Sequence, residues 1–176
     1  ENIMLAATCA KGRTIIRNAA KEPEIVDLQN FINSMGGKVS GAGSNTIIIE
    51  GVETFHETEY TVIPDRIVAG TYLIAAAITG SEIVVENVIL DHIQAAVNKL
   101  REAGCDFIPY RGKNGEAIRI KAPERLRAIE HTKTHPYPGF PTDMQALLMS
   151  ALTVADGTSI ITENIFENRF KHVPEL

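Results

Sequence analysis

Tyr72 to Asn87 reads YLIAAAITGSEIVVEN: an Ala-rich apolar segment, a glycine at Gly80, then a β-rich run closed by asparagine. The same order of features stands at Met4 to Asn18, MLAATCAKGRTIIRN, and at Leu147 to Asn164, LLMSALTVADGTSIITEN. Gly12, Gly80 and Gly157 are 68 and 77 residues apart, and self-similarity of this kind marks a repeat architecture in which each copy is one supersecondary unit. After the asparagine the first two copies continue with apolar residues at Ile25, Leu28, Phe31, Ile32 and Met35, and at Ile93, Ala96, Val97 and Leu100. That spacing is one face of a helix. Both helices run into glycine, Gly36-Gly37 and Gly104, which closes a last turn at positive φ without a Cβ clash. Hairpins are expected next, Lys38 to Ser40 with Thr46 to Glu50, and Cys105 to Tyr110 with Ala117 to Lys121, because each pair of β-rich runs brackets a turn-rich stretch.

Working outward, a strand at Tyr60 to Ile63 leads to Pro64-Asp65 and another at Ala128 to Thr132 leads to Pro141-Thr142-Asp143, where Asp or Thr can cap the helix that follows. The unit is then strand, helix, strand, helix, strand, strand. Ile67 to Ile78 and Met144 to Val154 are apolar on nearly every side, so these helices are expected in the interior, with the small sheets around them. The fold class is α/β with buried helices. The chain divides into residues 1–63, an incomplete unit, and residues 64–176, one unit and part of the next.

Composition restricts the function. The 176 residues are 44% hydrophobic with a net charge of -5, an ordinary globular balance. The absence of a Lys/Arg cluster argues against a nucleic-acid partner, and no apolar run approaches the length of a membrane span. Cys9 and Cys105 form no CxxC pair, which fits a reducing, cytoplasmic setting without disulfides. Cys9, inside Leu5-Ala-Ala-Thr-Cys-Ala10, reads as core packing on an interior helix, and Cys105 likewise. The chain opens on Glu1 and stops without a terminating motif, so an internal fragment is expected.

Few residues carry a chemical signal. His131 and His135 have the i, i+4 spacing of a zinc pair, but Pro136, Pro138 and Pro141 forbid a helix there, and in extended chain the two would be roughly 13 Å apart. No metal site is expected. The glycines at 36, 37, 41 and 43 follow a helix and precede a strand, the reverse of a dinucleotide-binding loop. Asp143 admits two roles, a cap for the interior helix or a carboxylate beneath the proline-rich loop His135 to Pro141 that takes a proton from a hydroxyl. Asp65 holds the matching place one repeat earlier, and the residue pattern leaves both roles open. Arg169, within Glu163 to His172, could grip an anionic group with its planar fork, or the stretch could begin a solvated helix. Lys21 to Glu24 reads as a helix start with acids favoured by the dipole, or as a cleft wall.

The words NAAKEPEIVDLQNF (Asn18 to Phe31), FPTDMQA (Phe140 to Ala146) and ITENIFENRFKHVPEL (Ile161 to Leu176) resemble the bacterial UDP-N-acetylglucosamine 1-carboxyvinyltransferase family of enolpyruvyl transferases, and the likeness runs along the whole chain. It implies an inside-out α/β barrel of two domains with three repeats each. Residues 1–63 would then be the last repeat of the first domain, and 64–176 the first repeat and part of the second repeat of the second. It also implies transfer of the enolpyruvyl group of phosphoenolpyruvate to the 3′-hydroxyl of UDP-N-acetylglucosamine, with no cofactor, in the cytoplasm, serving cell-wall synthesis, cell shape and division.

Under that resemblance Asp143 matches the proton acceptor, Thr142 lies beside the sugar, Ile165 and Phe166 contact the nucleotide sugar, and Arg169 holds its anionic end. Glu22, Glu24 and Asp65 match charged positions of lesser weight near the domain junction. The family's Lys-Asn pair for phosphoenolpyruvate, its Cys-bearing loop and a C-terminal arginine have no counterpart here. The chain alone is therefore expected to be inactive, and to self-associate through the faces of unfinished repeats. Two alternatives stay open: the sister transferase acting on shikimate 3-phosphate, and a repeat module without chemistry.

Overall fold

A computed structural model describes all residues from Glu1 to Leu176. It resolves into two compact units, Glu1–Ile63 and Pro64–Leu176. In the first, α1 (Asn2–Ala7), β1 (Arg13–Arg17), α2 (Pro23–Ser34), β2 (Lys38–Ser40) and β3 (Thr46–Glu50) follow one another. The second runs α3 (Arg66–Ile78), β4 (Glu82–Val88), α4 (Leu90–Glu102), β5 (Asp106–Gly112), β6 (Gly115–Lys121), β7 (His131–Lys133), a 3-10 turn (Thr142–Met144), α5 (Gln145–Leu152) and β8 (Ile160–Thr162), with a last 3-10 turn at Val173–Glu175.

The repeat read from the sequence is a repeat in space. Each unit builds an antiparallel three-stranded sheet in which the last strand lies between the other two, β1-β3-β2 and β4-β6-β5. Both expected hairpins form, β2 with β3 and β5 with β6. The marker residues explain the common path: Gly12, Gly80 and Gly157 have φ of 87°, 62° and 108°, and Asn18 and Asn87 have φ of 53° and 54°. Glycine enters this left-handed region without a Cβ clash, and asparagine enters it more readily than other side chains. Asn87 sits where the β4–β6 register shifts between Glu86 and Val88. The third copy departs from this rule, because its left-handed asparagine is Asn168 rather than Asn164. Its strand β8 pairs in parallel with β7.

Packing follows the apolar faces. In the first unit Met4, Ala7, Ile25, Ile32, Val39, Ile47 and Ile49 form one core, and the Asn33 side chain clamps the Val39 N–H and C=O, both at 2.8 Å, fixing α2 to β2. In the second, Leu73, Ile74 and Ala77 of α3 meet Ile93, Val97 and Leu100 of α4, Ile118 and Ile120 of β6, Met144 of the 3-10 turn and Leu148 of α5. Gly70 lets the Met144 thioether lie against α3, where a Cβ would collide with it.

Several expectations are corrected. Tyr60 to Ile63 is not a strand. The Tyr60 hydroxyl donates to the Asp27 carboxylate at 2.7 Å and its ring lies 5.4 Å from that of Phe31, so α2 captures the segment instead. The strand expected at Ala128 to Thr132 is shorter and later, His131–Lys133, and the helix expected over Met144 to Val154 becomes a 3-10 turn followed by Gln145–Leu152. The Ala-rich helices do lie against the sheets and the other helices, with α5 free of exposed residues. Part of the outer face of the other two stays open: Leu73 of α3 is fully buried, while Tyr72 beside it is 60% exposed, and Ile3 and Leu5 of α1 are exposed too.

Cys9 is not core. The Thr8 hydroxyl bonds the Leu5 carbonyl at 2.7 Å as α1 ends at Ala7, and the next residue, Cys9, is exposed. Cys105 is buried, and burial, with a smaller contribution from Asp106, pushes its thiol up to about 11. At pH 8 only roughly one Cys105 in a thousand is thiolate. An aromatic disulfide reagent is therefore expected to label one thiol quickly, with Cys9→Ser abolishing the fast phase and Cys105 reacting only on unfolding. No helix is long and apolar enough to cross a membrane.

Candidate functional site

The end of β7, the 3-10 turn before α5 and the segment after β8 bring together the residues that the sequence singled out in the second unit. β7 and β8 run in parallel with His131 opposite Ile160 and Lys133 opposite Thr162, so both chains leave the sheet on the same side. One leads into Thr134 and the proline-rich loop, the other into Glu163 to Arg169. The loop turns back on itself through the His135 N–H to Phe140 C=O bond at 3.0 Å, with Phe140 buried. It then delivers Thr142 and Asp143 to the tip of α5.

Asp143 does not cap. Its carboxylate pairs with Arg169, Nη2 to Oδ1 at 2.6 Å, and it remains 55% exposed on a helix whose first turn is otherwise buried at Met144 and Gln145. Arg169 also donates from Nη1 to the Thr142 hydroxyl at 3.1 Å, and its guanidinium lies over the Phe166 ring at 5.1 Å. Thr142, Asp143, Phe166 and Arg169 thus form one cluster, with Ile165 beside it through the backbone. The expected solvated helix at Glu163 to His172 does not form; the stretch is a series of turns.

Glu163 is the residue that sequence reading passed over. Its Oε1 accepts from the Thr134 hydroxyl at 2.8 Å, the Ile165 N–H at 2.8 Å and the Phe166 N–H at 3.2 Å, and its Oε2 from the Thr142 hydroxyl at 2.8 Å. Burial alone would raise this carboxyl, but the bonds from Ile165, Thr142, Thr134 and Phe166 outweigh it and hold Glu163 below the usual carboxylate range. Thr134, fully buried, accepts the Asn164 N–H at 2.9 Å. That bond explains why Asn164 departs from the left-handed asparagine of the other copies. A glutamate closing a strand expected to be buried was the available signal.

The remaining candidates are elsewhere. Asp65 caps α3, its Oδ1 accepting from the Ile67 N–H at 2.8 Å and the Val68 N–H at 3.0 Å. Glu22 and Glu24 stand at the N-cap and in the first turn of α2, in the first unit. His131 bonds Thr162 through Nε2 at 2.8 Å and His135 is exposed. No group of three or more His, Cys, Asp or Glu side chains is placed to hold a metal ion. Gly36 and Gly37 close α2, bonding the Asn33 and Ile32 carbonyls at 3.0 Å.

The family described as EPSP synthase (3-phosphoshikimate 1-carboxyvinyltransferase) matches residues 1–176. UDP-N-acetylglucosamine 1-carboxyvinyltransferase 2 of Caldanaerobacter subterraneus subsp. tengcongensis is 57% identical over 177 residues, which is 100% of this chain and 41% of that protein. The UDP-N-acetylglucosamine 1-carboxyvinyltransferase of Myxococcus xanthus is 52% identical over 176 residues, with the same coverage of 100% and 41%. The chain therefore spans about two fifths of the length of these curated relatives. Among solved structures, the enolpyruvyl transferase NikO from Streptomyces tendae superposes with a TM-score of 0.75 at 22% identity, over 98% of this chain and 40% of that one. EPSP synthase from Acinetobacter baumannii gives 0.61 at 24% identity, over 90% and 37%. At such identities the likeness establishes the fold alone.

Proposed function

The chain belongs to the EPSP synthase family of carboxyvinyltransferases, and from that premise we propose that the longer protein of which it is a part transfers the enolpyruvyl group of phosphoenolpyruvate to the 3′-hydroxyl of UDP-N-acetylglucosamine. The observation that carries this reading is the Asp143 carboxylate, spared from capping, solvent-accessible and held by Arg169. The high identity to relatives named for that nucleotide sugar supports it over the shikimate 3-phosphate alternative.

Asp143 takes the proton of the sugar hydroxyl as the hydroxyl oxygen bonds to C2 of phosphoenolpyruvate, and C3 takes a proton from a general acid of the longer protein. Loss of a C3 proton and of phosphate then restores the double bond. Thr142 lies beside the sugar, Ile165 and Phe166 contact the nucleotide sugar, and Arg169, while it holds Asp143, helps hold the anionic end with its remaining N–H groups. Glu22, Glu24 and Asp65 carry lesser weight; for Asp65 the capping bonds already give a sufficient structural reason. No cofactor is called for. We place the reaction in the cytoplasm, in cell-wall synthesis. Residues 1–63 are then the last repeat of one domain and 64–176 the first repeat and part of the second repeat of another. On its own the chain is expected to self-associate through the uncovered faces of α1 and α3, which light scattering reads directly.

The test is phosphate release by a protein of the relatives' length carrying these residues, offered phosphoenolpyruvate with either acceptor. Release is expected with UDP-N-acetylglucosamine and not with shikimate 3-phosphate, and the 176-residue chain should release none. The opposite acceptor preference overturns the substrate reading, and no release with either overturns the enzymatic one.

A further inference from the structure

We propose that Glu163 is the positioning residue of this site, a buried-side anchor that sets the direction of a hydrogen-bond chain ending on Asp143. The inference rests on the functional reading above and deepens it. As an ionised carboxylate, Glu163 can only accept. The Thr142 proton must therefore point at Oε2, at 2.8 Å, which turns the lone pairs of the same hydroxyl toward Arg169 Nη1, at 3.1 Å. The other end of that guanidinium donates to Asp143 at 2.6 Å. Polarity runs one way, from Arg169 through Thr142 to Glu163, and the fork of Arg169 is aimed at Asp143 as a result.

The same carboxylate fixes the second half of the site. Oε1 receives the N–H groups of Ile165 and Phe166, the residues that leave β8 for the nucleotide-sugar side, and the hydroxyl of Thr134 at the end of β7. One side chain thereby ties together β7, the turn before α5 and the segment after β8. The remaining polar contacts of Thr134, the Asn164 N–H on its hydroxyl, the Asn164 amide on its carbonyl at 3.4 Å and its own N–H on the Thr162 carbonyl at 3.0 Å, hold the backbone that carries Glu163. Charge-assisted bonds of this kind are about twice as strong as neutral ones. They hold a reacting geometry to the tolerance at which a 1 Å error costs about a hundredfold in rate.

Glu163→Gln keeps the shape and reverses the direction. An amide nitrogen in place of Oε2 must donate to Thr142, so the hydroxyl is no longer committed to receiving Arg169. In the protein of the relatives' length, kcat with UDP-N-acetylglucosamine is expected to fall by about ten- to a hundredfold. The melting temperature should stay within about 3 °C, with KM for phosphoenolpyruvate essentially unchanged. If the Gln variant does not fold, Glu163→Asp carries the test, since it keeps the charge and withdraws both oxygens by one methylene; a kcat loss smaller than that for Gln is expected, again without a change in KM for phosphoenolpyruvate. Wild-type kcat in a folded variant, or losses in which both KM values and the melting temperature move together, overturns the positioning role in favour of a structural one. A wild-type protein that does not turn over at all fails earlier and differently, and removes the functional reading itself.

Discussion

Asp143→Asn in the full-length protein is expected to lower the rate of enolpyruvyl transfer by about 10²- to 10⁴-fold, the range supplied by a positioned general base, while UDP-N-acetylglucosamine still binds, more weakly. Asparagine preserves the size of the side chain and leaves one oxygen for Arg169 at the tip of α5. It cannot take a proton at neutral pH. Because Asp143 is exposed and does not cap α5, the substitution should barely change the melting temperature, which separates chemistry from folding. Single-turnover phosphate release and calorimetric titration of the nucleotide sugar measure the two quantities. Near-wild-type release would remove Asp143 from the proton transfer.

Leu73→Ala carries the largest stability effect. Leu73 is fully buried in the centre of α3, in the cluster that also holds residues of α4, β6 and α5. Removing most of a leucine side chain from such a place costs about 2–5 kcal/mol, the lost transfer energy plus the cavity left behind. Thermal unfolding of the second unit should shift down by roughly 10 °C or more. Tyr72→Ala, one residue away on the uncovered face, supplies the contrast, since exposed substitutions away from special contacts stay within about 0.5 kcal/mol. Equal losses at the two positions would mean that α3 is packed on both faces.

The contrast between these two residues also explains what the sequence could and could not disclose. Gly12, Gly80 and Gly157 marked the repeat because only a few residue types take a left-handed backbone at low cost, so the pattern survives in the letters. The α2 and α4 stripes and both hairpins were legible for the same local reason. The all-round apolar character of α3 was legible too, but not that one of its faces would lack a neighbour within its unit. Cys9 was misread because the end of α1 is set by a Thr8 side-chain bond to the backbone, which competes with helix continuation and leaves no trace in hydrophobic periodicity. Tyr60 to Ile63 has strand composition, yet a tertiary bond to Asp27 decides its path.

At the site, residue chemistry left Asp143 and Arg169 with two roles each and the resemblance chose between them and added Thr142; the structure brings the three within hydrogen-bonding distance across 26 and 27 residues of chain. Asp65 and Asp143, equivalent in the repeat, differ in what they bind: one receives backbone N–H groups of its own helix, the other a guanidinium from a distant segment. Pro-Asp and Pro-Thr-Asp differ by one residue, and the shift puts Asp65 at the N-cap of α3 but Asp143 inside the 3-10 turn before α5. Glu163 went unassigned because its partners come from three places in the chain, and only folding puts them around one carboxylate.

Whether Asp143 faces the acceptor hydroxyl is decided by a crystal structure of the full-length protein with UDP-N-acetylglucosamine and an unreactive phosphoenolpyruvate analogue. The sugar 3′-oxygen is expected about 3 Å from an Asp143 carboxylate oxygen, with Arg169 still bridging Thr142 and Asp143. A complex in which that hydroxyl points to a different base contradicts the role of Asp143.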